Sequence, residues 1–278
     1  MGWRDERVTA MNQNDIMENA KRAIEKAMSG GALRLIDSGE NGTCIPQKAI
    51  PRFDQFAAET SKENPEKPHV DVAREKDIKD QFWSLGNIVR VDNTIRLRKP
   101  MGLDQGGFLR LQQEYFPLRS LLKDERYCAE IWNDYNNDTA LMFSITKDDA
   151  YIGYCGIKDL SRNPPEISIE LIAEWTHHGI GSATIPAMLD AVKERLGIVD
   201  FRIRIDPTNL ASQRLFEKLG AKPNGISKFI LHKEDEIRQY EVENLHSIDD
   251  ARIAVAEKFQ VEPRKLLSHV LEYVLAWN

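Results

Sequence analysis

Two strand-to-helix junctions, separated by a single helix, set the tightest limits on how this chain can fold. The first runs Ile169-Glu170-Leu171-Ile172-Ala173-Glu174-Trp175-Thr176-His177-His178-Gly179-Ile180-Gly181-Ser182-Ala183. Across Glu166 to Ile172, Ile167, Ile169 and Leu171 fall on one face and Glu166, Ser168 and Glu170 on the other, the period of a half-buried strand. Gly179 to Leu196 then reads as a helix ending at Gly197. Two glycines at the turn let the backbone approach a ligand closely. Free N–H groups at a helix start attract anions, phosphate above all. The segment is not a P-loop, because no Gly-Lys-Ser/Thr follows, and it lacks the third spaced glycine of the dinucleotide fingerprint. The second junction joins a strand at Asp200 to Asp206, with Phe201, Ile203 and Ile205 on one side, to a helix from Thr208 to Leu219 ended by Gly220.

The flanking pattern extends the same architecture. Thr94 to Arg98 alternates apolar and charged residues, and helical material follows from Leu103 to about Trp132. Ala140 to Thr146 and Tyr151 to Ile157 read as strands around a hairpin turn at Lys147-Asp148-Asp149-Ala150. Further strands are expected at Ile226 to Leu231 and Arg238 to Val242. This order predicts an α/β fold, a mixed sheet with flanking helices, over residues 93–244.

The two ends have a different texture. Residues 1–92 form an extension without visible chemistry: a helix at Asn14 to Met28, a short strand at Ala32 to Ile36, and a charged stretch at 60–80, with Pro65 and Pro68, that reads as a solvated linker or an exposed helix. Residues 245–278 read as a helical tail. Ser247 and Asp250 resemble a capping box, and Ile253, Ala256 and Phe259 are candidates for a core face. Pro263 opens an expected last helix with an apolar stripe of Leu266, Leu267, Val270, Val274 and Leu275. That stripe needs a cover, and a second copy of the chain, in a homodimer through the terminal helices, is one candidate.

Bulk properties remove several function classes. No apolar run is long enough to span a membrane, and the N-terminus has no apolar signal region. A formal charge of -6 disfavours nucleic acid as a partner. Cys44, Cys128 and Cys155 are scattered, which argues against a disulfide framework or a CxxC zinc site and fits a reducing cytoplasm. Cys155 reads as core, and His177 with His178 lack the carboxylate partners of a metal site.

The second junction carries Asn209-Leu210-Ala211-Ser212-Gln213-Arg214-Leu215-Phe216-Glu217-Lys218-Leu219-Gly220. This resembles the GNAT family of N-acetyltransferases, in the branch of the ribosomal-protein alanine N-acetyltransferases, whose pattern is close to Asn-x-x-Ser-x-x-Leu-Phe/Tyr-Glu-Lys-Leu-Gly-Phe. Gly179 and Gly181 match the family's cofactor loop, at the right distance and in the right context. The resemblance covers about half the chain. It implies that acetyl-CoA, as co-substrate, lies in a V-shaped opening between the strands at 166–172 and 200–206. Its pyrophosphate would meet backbone N–H groups across Thr176, His177, His178, Gly179, Ile180, Gly181 and Ser182. Its pantetheine arm would run beside Leu171, Ile172 and Ala173, with Asn209 also touching the arm. A backbone N–H near Leu171 or Ile172 would polarise the acyl carbonyl.

For the proton transfers, Glu170 is the candidate base and Ser212 the candidate acid or sulfur-binding group; Glu166 is a weaker base candidate. The family's usual Arg or Gln at the loop start is Thr176 here, its usual glycine is His177, and its usual basic residue is His178. The tyrosine that often serves as acid is Phe216, which has no proton to give, so Ser212, Tyr240 or water must substitute. The expected activity is acetyl transfer to a primary amine of a protein N-terminus, a polyamine or a small molecule, by direct attack. The alternative is a non-catalytic acyl-CoA-binding or protein-interaction module on the same fold.

Overall fold

The computed structural model describes residues 72–115, 119–229, 231 and 233–278. The helix expected at 14–28 and the strand at 32–36 lie outside the described residues. Helix α1 (Val72–Ser84) leads into β1 (Ile88–Arg90), β2 (Ile95–Arg98), α2 (Gln105–Tyr115) and α3 (Glu125–Tyr135). Then come β3 (Leu141–Lys147), β4 (Ala150–Ile157), β5 (Ile167–Leu171), α4 (Ile180–Leu196), β6 (Asp200–Ile205) and α5 (Leu210–Lys218). The chain closes with β7 (Lys222–Lys228), α6 (Glu234–Glu243), α7 (Asp250–Phe259) and β8 (His269–Ala276). The strands form an antiparallel sheet in the order β1-β2-β3-β4-β5 and a second antiparallel sheet in the order β6-β8-β7.

The β3–β4 hairpin shows how local chemistry shapes the first sheet. Asp148 and Asp149 take φ of 49° and 67°, the left-handed pair of a turn whose twist matches that of its strands. A register shift between Ile145 and Thr146 places Tyr151 opposite Thr146 and Tyr154 opposite Ser144, so both tyrosines share one face. On that face Tyr154 joins Phe108 of α2 and Tyr135 of α3, with ring centroids 4.7–6.2 Å apart. Gly107 lets α2 lie close, since a Cβ there would come within 2.5 Å of the Tyr151 ring. The opposite face buries Leu97, Phe143, Ile145, Cys155 and Ile157 with Ile185, Met188, Leu189 and Val192 of α4. Each such side chain contributes about 1.5–3 kcal/mol.

Of the charged stretch at 60–80, read as a solvated linker or an exposed helix, residues 72–80 lie in helix α1, which runs on to an apolar end. Phe82 and Trp83 at the end of α1 are buried, and Phe82 meets Phe143 edge-on at 5.3 Å. Arg195, in the last turn of α4, lies 4.6 Å over the Phe82 ring and donates to the carbonyls of Phe82 and Gly86 at 3.2 and 2.7 Å. One cation thus fastens the C-terminus of α1.

The C-terminal half departs from the sequence reading in three places. Residues 238–242, expected as a strand, lie in α6, where Glu234, Asp235 and Glu236 occupy the first turn and favour a helix start. Helix α7 is capped by the Asp249 side chain, which accepts from the Arg252 N–H at 2.8 Å, not by Ser247; Ala256 and Phe259 are buried, but Ile253 is exposed. The expected last helix is instead a short 3-10 turn at Pro263–Leu267 followed by β8. From Leu271 to Ala276 the side chains alternate: Leu271, Tyr273 and Leu275 point inward, Glu272, Val274 and Ala276 outward. The reason is non-local. Between β6 and β7 this segment satisfies a backbone edge of both, and edges left open are costly. Leu266, Val270 and Leu275 of the proposed stripe are buried within the chain, which removes the basis for a dimer contact there.

The strand assignment reverses two mutational expectations. Leu271→Ala should cost about 2–5 kcal/mol in urea unfolding, whereas Val274→Ala should stay within about 0.5 kcal/mol; a helical stripe would give the opposite ranking.

Candidate active site

The two sheets meet at one carboxylate. Glu166, just ahead of β5, forms a parallel bridge with Arg202 of β6, the one isolated bridge among the described residues. Its side chain is 2% exposed and lies 2.8 Å from Lys158, 3.1 Å from Arg202 and 2.8 Å from Arg204. Burial alone would raise the Glu166 pKa, but the three cations reverse the effect and bring it down to about 2. A carboxylate held this strongly in its charged form is unsuited to taking a proton at neutral pH, so Glu166 is a structural hub and not a base. Beyond it β5 and β6 belong to different sheets, and a gap opens between them.

Backbone parity decides which groups line that gap. Ile172 N–H donates to the Ile152 carbonyl at 3.0 Å, and Lys158 N–H to the Glu166 carbonyl at 2.9 Å. Even-numbered residues of this strand therefore bond to β4, and odd-numbered ones face the other way. Consistently, the Pro165 carbonyl accepts from Arg202 N–H of β6 at 2.9 Å. The backbone groups of Ile169 and Leu171 thus line the gap. Of the two candidate N–H donors, Ile172 is committed to β4, leaving Leu171. Ala173 opens a 3-10 turn, Ala173–Trp175, and its N–H donates to Glu114 of α2 at 2.7 Å. That carboxylate, from a helix 59 positions earlier in the chain, gave no sequence signal.

The loop after β5 leads to an open helix start. Thr176 turns inward, its hydroxyl donating to the Ala173 carbonyl at 2.8 Å. His177 has φ 62°, so it adopts the left-handed conformation that a glycine would supply more cheaply. Gly179 has φ 75° and starts α4 without any side-chain cap. The first intrahelical bond there is Ala183 N–H to the Gly179 carbonyl at 3.1 Å, so the N–H groups of Ile180, Gly181 and Ser182 have no acceptor within the helix. His177, His178, Gly179 and Ser182 are exposed. At Gly181 a Cβ would meet Leu215 of α5 at 3.1 Å and Ile169 of β5 at 3.5 Å, so three elements converge on that glycine. An uncapped, exposed helix start beside a free strand edge fits a long ligand with a phosphate end.

The remaining candidates divide. Asn209 is the N-cap of α5, its Oδ1 accepting from the Ser212 N–H at 3.0 Å; Ser212 is half-buried in the first turn. Phe216 is core. Glu170 lies opposite Tyr154, on the sheet face that α2 covers. Burial first, then Tyr135, Tyr154 and Glu170, push the nearby Tyr151 hydroxyl well above its usual pKa. Tyr240 sits on α6, its pKa raised chiefly by burial. No group of His, Cys, Asp and Glu that could hold a metal occurs among the described residues. The same residues include no helix long and apolar enough to cross a membrane.

The acetyltransferase (GNAT) domain family matches residues 95–222. This segment is a GNAT acetyltransferase domain. A domain of this family uses acetyl-CoA as co-substrate. Among solved structures, RimL, a ribosomal L7/L12 alpha-N-protein acetyltransferase in complex with coenzyme A, is 15% identical, with a TM-score of 0.49, covering 68% of this chain and 98% of its own. The acetyltransferase from Salmonella typhimurium that modifies the N-terminal serine of ribosomal protein L7/L12 is 15% identical, TM-score 0.46, covering 69% and 99%. The microcin C7 self-immunity acetyltransferase MccE, in complex with acetyl-CoA and AMP, is 14% identical, TM-score 0.46, covering 67% and 94%. A search of curated proteins gives no match.

Two outcomes follow from this geometry. Glu166→Gln should lower stability by about 3–5 kcal/mol at pH 7, because it leaves buried cations uncompensated. In the wild type the Glu166 contribution is complete above the unfolded-state pKa near 4.5 and is lost as pH falls toward about 2. Denaturant unfolding at pH 7, 4 and 3 should therefore show a shallower acid limb in the variant. Asn209→Ala should cost about 1 kcal/mol through the lost cap, while Asn209→Asp should restore it, read by the same unfolding curves.

Proposed function

We propose that this domain transfers acetyl from acetyl-CoA to a primary amine, and that the acceptor is the α-amine of a protein or peptide in preference to a polyamine or a small amine. The observation that carries the reading is the gap between β5 and β6, lined by the outward backbone groups of Ile169 and Leu171 and ending at the uncapped start of α4. Likeness to the branch of ribosomal-protein N-acetyltransferases supports the α-amine. Acetyl-CoA supplies a thioester whose carbonyl carbon accepts the amine lone pair as the sulfur departs.

The chain's own groups divide the remaining work. N–H groups from Ile180 to Ser182 hold the phosphate end, as at other helix starts. Leu171 N–H polarises the acyl oxygen at one end of the arm, and the arm runs from there beside the end of β5 as an added strand would. Glu170 takes the proton released by the attacking amine, directly or through water, and Ser212 supplies one to the departing sulfur. With Phe216 in the core, no phenol donates from that position.

Calorimetric titration with acetyl-CoA and desulfo-CoA should give saturable binding, and NAD none. Glu170→Gln should then lower kcat by about 10²-fold or more with acetyl-CoA affinity nearly unchanged, measured on a panel of peptides and amines. Binding without turnover on any amine would favour the non-catalytic acyl-CoA-binding module; absence of binding by a folded protein would overturn acetyl transfer and leave the protein-interaction module as the leading reading.

A further inference from the structure

Three local devices bring one unused hydroxyl to the sheet face that carries Glu170. Along the β3–β4 ladder Gly153 stands opposite Ile145 and Tyr151 opposite Thr146, so the register skips Ile152. In a strictly alternating strand Tyr151 would share the face of Cys155, which packs with α4. The skipped residue turns Tyr151 onto the other face, with Tyr154 and with Glu170, which lies opposite Tyr154 on β5. Gly153 permits the distortion: a Cβ there would come within 2.2 Å of the Glu170 carbonyl oxygen. Gly107 of α2 closes over the result, since a Cβ there would lie 2.5 Å from the Tyr151 ring. The ring is thus held between sheet and helix. Its hydroxyl is buried and has no hydrogen-bond partner among the described residues. Such a group weakens a fold and calls for an explanation. Burial first, then Tyr135, Tyr154, Glu170 and Asp104, keep its proton in place, so it is a donor and not a base. Asp104 already accepts from both Arg98 Nη atoms, from the Met101 N–H and from the Ser144 hydroxyl. Glu170 is the other carboxylate in that set.

We propose that Tyr151 is a positioning residue for acetyl transfer: its hydroxyl donates to the Glu170 carboxylate in the reacting complex and fixes the direction from which that carboxylate meets the acceptor amine. Buried as it is, the hydroxyl touches no substrate and acts only through Glu170. Hydrogen bonds of this kind are often long in a ligand-free site and tighten in the complex. The inference rests on the reading of Glu170 as the base, and it adds the group that orients it.

Tyr151→Phe removes the hydroxyl and keeps the ring. It is compared with wild type, Glu170→Gln, the double variant and Tyr135→Phe, which removes a hydroxyl set among Cys155, Ser144 and Asp104. Each is followed by thermal melting, by calorimetric titration with acetyl-CoA, and by turnover on the panel of peptides and amines. Tyr151→Phe should melt no lower than wild type, because it loses an unpartnered buried hydroxyl. Its acetyl-CoA affinity should stay within about twofold, while kcat falls about 10-fold, the share of one hydrogen bond to a charged group. The acid limb of kcat against pH should move to higher pH, since a hydrogen bond to a carboxylate favours its charged form. In the Glu170→Gln background the same substitution should change kcat by less than about twofold, and Tyr135→Phe should do no more in the wild-type background. Wild-type kcat in Tyr151→Phe, with Glu170→Gln impaired, overturns the positioning role and leaves the proposed function standing. An equal loss in both backgrounds, an equal loss in Tyr135→Phe, or a marked fall in the melting temperature of Tyr151→Phe overturns it too, because the hydroxyl then serves another group or the fold. Full activity of Glu170→Gln overturns it together with the assignment of the base. No turnover by wild type on any acceptor overturns it together with the proposed function.

Discussion

The geometry of this domain hangs on a carboxylate claimed by two sheets. Glu166 receives Lys158 from the end of the β4 strand and Arg202 and Arg204 from β6. A buried charge must be paired, and here the pairing pulls β5 and β6 together at one end only. Further along, their side chains no longer converge, and the strands part into separate sheets. The result is an opening with a fixed apex. Everything assigned to the candidate site is placed relative to it: the free backbone edge of β5, the turn carrying Gly179 and Gly181, and the first turn of α5 with Ser212. An apolar residue at 166 could pack, but it would carry no directional bonds to set the distance between the strands.

The motif that links this chain to its family has a plain physical content. Asn209 closes the first turn of α5. Phe216 is buried in the core. Glu217 accepts the Tyr273 hydroxyl of β8 at 2.7 Å and pairs with Lys258 of α7. Gly220, with φ 94°, lets the chain turn out of the helix. Most of the pattern therefore specifies how α5 begins, packs and ends. This explains why it persists here although the residue at 216 is not a tyrosine: the ring is needed by the core, and the hydroxyl is not.

Legibility in the sequence followed the range of the interaction. The alternation of β5 and β6, the Asp148-Asp149 turn and the glycine junction before α4 are local, and each was read within a residue or two. The strand at β8 was not, because Leu266, Leu267, Val270 and Val274 suit a helical period, and only pairing with β6 and β7 decides the matter. The site divides in the same way. Gly179 and Gly181 are visible from spacing, whereas the capping role of Asn209 appears only in the structure. The hub at Glu166 needs Arg202 from 36 positions later, and the hold of Glu114 on Ala173 spans 59 positions. No periodicity within one element reports such meetings.

The placement of β8 has a consequence for how the molecule comes into being. It is the middle strand of its sheet and the last described strand of the chain. During synthesis β6 and β7 emerge with nothing between them, and Asp200 meets Ala276 only when that late segment is released. Until then both strands carry unpaired N–H and C=O groups, the kind of surface that invites pairing with another molecule. The first sheet pairs its strands in sequence order and does not wait for β8, whereas the half that bounds the far wall of the opening does.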